Sequence, residues 1–249
     1  MKIAWLVSFI RFPMLIVVLL LLSLMFTLSG LSFHFPFLPE LSTVYFTIVN
    51  ILCFILLHRI LKEEGLTIKK LIDLRLERLV KDILFGFLWL FVLYIPFVIA
   101  VMGTMFVMYG TDFFHHFQTV FAGNQDIYTF YRPGWFMWLT AIVSLIFPFL
   151  NAPIEELMYR GYAQPLFIKH YHRAWIGIVI PSIGFAIQHL MLAVSVQGAI
   201  VYGVAFFVWG IGSGIIFYIQ KRLFPLIVCH FFVNIAFSMM PILFLILSP

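Results

Sequence analysis

Seven runs of apolar residues recur along this chain, near 12–30, 42–61, 83–109, 135–168, 174–195, 199–219 and 223–247. Each is long enough to cross the roughly 30 Å hydrocarbon core of a bilayer as a helix. The chain is 64% hydrophobic and 10% charged, whereas a soluble domain is nearer half apolar and about a quarter charged. The expected fold is therefore all-α: a polytopic transmembrane helix bundle of about seven spans, forming one integral membrane domain over residues 1–249. Lys2 and Arg11 before the first run resemble the start of a signal peptide. That run is too long, and no A-x-A-like site follows it, so it reads as a retained first helix. The run at 135–168 contains Pro148, Pro153 and Pro165 and is expected to be kinked or broken.

Basic residues assign the sides of the membrane. With the N-terminus in the cytoplasm, thirteen of the fifteen lysines and arginines fall in internal segments. These are Lys2 and Arg11, the stretch Arg59 to Lys81, Lys169 with Arg173, and Lys221 with Arg222. Only Arg132 falls outside, and Arg160 lies within a span. The positive-inside rule then gives an N-in, C-out topology. The same placement explains the net charge of +5 without nucleic acid. Segment 62–82 alternates Leu and Ile with charged residues and reads as a cytosolic amphipathic helix on the inner leaflet. The external loop 110–134 carries Asp112, His115, His116 and Asp126 and reads as solvated. His170 and His172 are given no chemical role. Cys53 and Cys229 lie in apolar runs and indicate neither a disulfide framework nor a paired-cysteine metal site.

One cluster breaks the apolar pattern: Asn151-Ala-Pro-Ile-Glu155-Glu156-Leu-Met-Tyr-Arg160-Gly161. An ionisable group at bilayer depth costs roughly 2.5–3.5 kcal/mol on insertion scales, so it marks a functional site by default. Two further polar pairs lie inside spans, Phe185-x-x-x-His189 and His230-x-x-x-Asn234. Residues four apart share a helix face. Counted from the basic ends of their spans at about 1.5 Å per residue, Glu155, Glu156 and His189 lie roughly 20–24 Å deep. Asn234 lies roughly 18 Å deep, with His230 one turn shallower. Three helices thus bring carboxylates, imidazoles and an amide to one level. Glu156 is four residues before Arg160 and can pair with it along one face. Glu155 is rotated about 100° away. The expected division of labour is that Glu156 orders the site with Arg160 while Glu155 acts as the base.

Glu-Glu-x-x-x-Arg, Phe-x-x-x-His and His-x-x-x-Asn, in this order on separate membrane helices, resemble the CPBP family. That family comprises the CAAX-processing intramembrane proteases and the bacteriocin-immunity (Abi) proteins. The resemblance runs from about 148 to 236. It implies a catalytic core over 135–249, preceded by N-terminal spans and the amphipathic segment over 1–134. It further implies an endopeptidase that hydrolyses a peptide bond of a membrane-associated protein or peptide. Glu155, with Glu156, would activate a water that His189 helps position. His230 and Asn234 would stabilise the oxyanion, and Arg160 and Phe185 would order the site. The family resemblance leaves a zinc ion open, with Glu155, His189 and His230 as its ligands, although the zincin His-Glu-x-x-His motif is absent. Short length, simple loops and seven spans look more like a bacterial member, in the cytoplasmic membrane.

Rival readings make different use of the same residues. The rhomboid Gly-x-Ser motif fails, because Ile211 precedes Ser213 by two. Gly210 and Gly214 instead read as a tight helix contact. Presenilin-type chemistry needs two intramembrane aspartates, and Asp73, Asp82, Asp112 and Asp126 fall in loops or at span ends. A proton-coupled transporter would use buried Glu and His near a broken helix, but no second half mirrors the first. A catalytically silent scaffold or immunity protein on the same fold is the remaining alternative.

Overall fold

The computed structural model describes residues 1–30, 41–123 and 134–247; Asp126 and Arg132 lie outside them. The described residues form eleven α-helices joined by short 3-10 turns, with a single π-helical turn. In chain order they are α1 (Lys2–Phe9), α2 (Arg11–Leu28), α3 (Leu41–Glu63), α4 (Ile68–Ile72), α5 (Leu79–Tyr109) and α6 (Phe117–Phe121). Then come α7 (Gly134–Glu156), α8 (Gln164–Tyr171), α9 (Ala174–His189), α10 (Val196–Gln220) and α11 (Phe224–Leu247). Seven helical stretches among the described residues are long and apolar enough to cross a membrane.

The proline-bearing span does not break. Gly134 to Tyr171 runs as one helical stretch in which a π-turn, Leu157–Ala163, joins α7 to α8. Pro148 and Pro153 sit inside α7 and Pro165 sits in the first turn of α8, where a missing N–H is tolerated. A π-turn widens the helix by one residue and is found disproportionately at functional sites. Here it follows Glu156 directly and contains Arg160.

Segment 62–82 departs from the single amphipathic helix expected for it. It is helical only as the end of α3, the short α4, a 3-10 turn Leu76–Arg78 and the start of α5. Gly65 and Asp73 both adopt positive φ, 68° and 48°, which ends a helix on each side of α4. The Thr67 hydroxyl caps its N-terminus by accepting from Lys70 N.

The bundle is built on α7 packed against α11 and α3, α9 against α10, and α5 against α10 and α11. Close backbone approach is purchased with glycine. A Cβ on Gly210 would lie 2.9 Å from Ser182 Cβ, and one on Gly214 would lie 2.9 Å from Ile178 Cγ2. The Gly-x-x-x-Gly pair of α10 therefore seats α9, as expected from spacing. Gly184 does the same for α1, where a Cβ would lie 1.9 Å from the Ser8 carbonyl oxygen. The first helix thus presses backbone to backbone on α9. At the end carrying the basic segments, the buried Asp82 at the start of α5 pairs with both terminal nitrogens of Arg222, just before α11. Tyr162 of the π-turn donates to Glu64 Oε1 at 2.6 Å.

Candidate active site

Every polar residue singled out within the spans is buried: Glu155, Glu156, Arg160, His189, His230 and Asn234. α7 supplies the two glutamates, the π-turn Arg160, α9 His189, and α11 both His230 and Asn234. The agreement in depth counted along the sequence becomes contact between the glutamates, Arg160 and His230, with His189, His230 and Asn234 lining one cavity.

Glu156 accepts from Arg160 Nη1 at 3.1 Å and from His230 Nδ1 at 2.9 Å, both on Oε1. The expected i, i+4 pair is present. The Arg160 guanidinium also lies 4.5 Å from the Phe185 ring centroid, a cation–π contact. Arg160 Nη2 lies 3.4 Å from the Gly210 carbonyl oxygen. The same phenyl ring is tilted against His189 at 4.4 Å and meets His230 edge-on at 6.0 Å. Phe185 is thus the apolar floor under the cation and both imidazoles.

An ionised carboxylate only accepts, so His230 Nδ1 carries the proton given to Glu156. In a neutral ring Nε2 is then an acceptor, and it faces Glu155 Oε2 at 3.6 Å. That oxygen has no hydrogen-bond partner among the described residues. Two acceptors facing each other in a buried site call for a proton between them, on the ring or on a bridging molecule. His189 is settled by the same logic. Its Nδ1 lies 2.6 Å from the Phe185 carbonyl oxygen, which accepts only, so Nε2 is its free acceptor. The ring is stacked on Phe206 with 3.7 Å between centroids. Asn234 Nδ2 is a buried donor without a partner among the described residues.

Sequence reasoning missed one member. Arg11, counted there among the cytosolic basic residues, is fully buried beside Glu155. Its Nη2 lies 2.8 Å from Glu155 Oε1 and 3.3 Å from Asn151 Oδ1. Its Nη1 donates to Asn50 Oδ1 at 2.8 Å and its Nε to Gln188 Oε1. The physical reason is charge balance: two buried carboxylates need two cations, and Arg160 serves only Glu156. The signal was present, since Arg11 and Asn50 are polar residues within or at the edge of apolar runs and Gln188 precedes His189.

A cavity of about 600 Å³ opens beside this cluster. Its polar end is formed by Asn151, His189, His230 and Asn234, and the rest is largely aromatic, including Phe46, Phe97, Phe206, Trp209 and Phe237. For a metal, the bond from His189 Nδ1 to a backbone carbonyl leaves Nε2 in the form a ligand needs. Among the described residues, however, no three His, Cys, Asp or Glu side chains gather as a ligand set. Glu155, His189 and His230 do not fit a zinc site as arranged. Asp112 lies 3.7 Å from both His115 and His116 on an exposed 3-10 turn, remote in sequence from this cluster. Cys53 and Cys229 are free and buried.

Residues 133–236 match the family model described as type II CAAX prenyl endopeptidase Rce1-like. No curated protein and no solved structure matches the chain.

Proposed function

We propose, from the match of residues 133–236 to the Rce1-like family model, that this chain is an intramembrane endopeptidase in which Glu155 activates a water. The observation that carries this reading is the pair of facing acceptors, Glu155 Oε2 and His230 Nε2, 3.6 Å apart in a buried site. A water donating to both satisfies them.

In this mechanism a substrate segment enters the aromatic cavity, and the peptide bond to be cut lies at its polar end. Aromatic walls suit an apolar segment or anchor of a membrane-associated substrate. Both hydrogens of the water are committed to Glu155 and His230, and His189 lines the polar end of the cavity beside it. Glu155 takes a proton as the water oxygen attacks the carbonyl carbon. The developing oxyanion accepts from Asn234 Nδ2, a donor with no partner among the described residues. His230 Nε2 keeps the hydrogen bond from the oxygen that was the water, and Asn234 is the oxyanion donor. The proton held by Glu155 then passes to the leaving amine as the C–N bond breaks. Glu156 and Arg160 keep His230 in place throughout. No step is routed through a metal. The basic end of the bundle faces the cytoplasm, and the membrane is a bacterial cytoplasmic membrane.

The test uses purified protein in lipid nanodiscs and a panel of internally quenched peptides carrying apolar anchors, with products read by mass. Wild type releases two fragments from at least one peptide, and Glu155→Gln releases none. Cleavage by Glu155→Gln at the wild-type rate would refute the mechanism. A folded wild type that cuts nothing would favour the scaffold reading.

A further inference from the structure

Arg11 lies on α2, far outside the segment that matches the protease family, yet it touches two of the three helices that carry the reacting groups. On α7 it binds Glu155 and, one turn earlier, Asn151. On α9 it binds Gln188, the neighbour of His189. Its fourth acceptor, Asn50 on α3, is itself held, because Asn50 Nδ2 donates to Asn151 Oδ1 at 3.1 Å. The guanidinium fork is therefore fixed on three nitrogens by four acceptors from three helices. A planar fork of this kind sets orientation as well as charge. The backbone beneath it is fixed too: Gly184 lets α1 lie directly on α9 at Ser8, three residues before Arg11.

The consequence falls on one carboxylate. Arg11 occupies Glu155 Oε1 and leaves Oε2 turned towards His230. Glu156 has Oε1 doubly engaged by Arg160 and His230. Each glutamate thus has its own guanidinium and, among the described residues, one oxygen without a partner, and it is Glu155 whose free oxygen faces an imidazole nitrogen.

We propose that Arg11 is a positioning residue of the active site: it holds Glu155 as a carboxylate with Oε2 aimed at the water, and ties that carboxylate to the turn bearing His189. The catalytic consequence rests on the protease reading above, and the holding of Glu155 does not. The two are tested separately.

Wild type, Arg11→Lys and Arg11→Gln are compared in nanodiscs. In the first arm, the quenched peptide cut by wild type is the probe. Lysine keeps the charge and loses the fork, so Arg11→Lys should melt close to wild type and keep its KM. Its kcat should fall by about 10²-fold, the cost of a small misplacement. A kcat equal to wild type in folded Arg11→Lys overturns the positioning role, and so does a loss that merely tracks the folded fraction. The second arm needs no activity. Dicyclohexylcarbodiimide, an apolar reagent for protonated buried carboxyl groups, is applied, and the label is located by fragmentation. Glu155 should be unlabelled in wild type and labelled in Arg11→Gln, with Glu156 unlabelled in both. Equal labelling of Glu155 in both proteins overturns the proposal even if no peptide is ever cut. If wild type cuts nothing but the labelling pattern is as expected, the protease reading fails while the Arg11–Glu155 relationship stands.

Discussion

His230 donates through Nδ1 to Glu156 Oε1 across 2.9 Å, so one imidazole from the last span is oriented by a carboxylate of the fourth. Its other nitrogen consequently points at Glu155. Two adjacent glutamates that look interchangeable in sequence are thereby placed differently: one holds the ring through Nδ1, the other turns an oxygen towards its Nε2.

The two glutamates should therefore fail differently. Glu155→Gln should reduce kcat by about 10²–10⁴-fold, the usual contribution of a positioned general base, with membrane insertion unchanged. Glu156→Gln should lower both activity and melting temperature, because the buried Arg160 guanidinium loses its counter-charge. Peptide cleavage and thermal unfolding measured on both variants check this. If Glu156→Gln alone abolishes cleavage, the roles are reversed.

Arg160→Ala leaves Glu156 buried without its cation and removes the contact over Phe185. Breaking a buried pair on one side costs about 3–5 kcal/mol. A marked drop in melting temperature is expected along with lost activity. An unchanged melting temperature would contradict the pairing.

Asn234→Ala removes the donor Nδ2, which has no partner among the described residues. An oxyanion donor of this kind is worth about 10²–10³ in kcat, so kcat should fall while KM and stability stay near wild type. A change confined to KM would instead make Asn234 a binding residue.

Gly184→Ala adds a methyl where the Ser8 carbonyl already lies against the helix. Helix α1 must move away, and overpacking of this sort costs about 1–3 kcal/mol. Because Arg11 follows three residues later, activity should fall more than stability in this variant. Val7→Ala, which only shortens a buried apolar side chain on the same helix, should lower stability and leave kcat of the folded protein intact. Equal kcat losses in the two would remove the link between helix seating and the site.

Much of this was legible because helical periodicity and bilayer length are local properties. The seven spans, the Glu156–Arg160 pair, the approach of His230 to the glutamates and the shared cavity of His189, His230 and Asn234 all follow from spacing within single helices and a count of depth. Arg11 did not follow, because an arginine near the start of a first span conforms to the pattern of a cytosolic flank. Only the seating of α1 on Gly184 draws it inwards. Asn50 lies in an apolar run, and its role exists only through partners on other helices, Arg11 and Asn151. The unbroken fourth span was hidden for another reason: prolines predict a break, whereas the π-turn at Leu157–Ala163 absorbs the distortion without ending the helix. Segment 62–82 showed the reverse, since its amphipathic pattern outweighed the stop signals at Gly65 and Asp73.

The most direct measurement compares new protein termini in cells producing wild type and Glu155→Gln at matched levels in the membrane fraction. The account predicts one or more cleavage products from membrane-associated proteins or peptides with wild type, all absent with Glu155→Gln. Identical termini in the two, with both proteins folded and inserted, would contradict it.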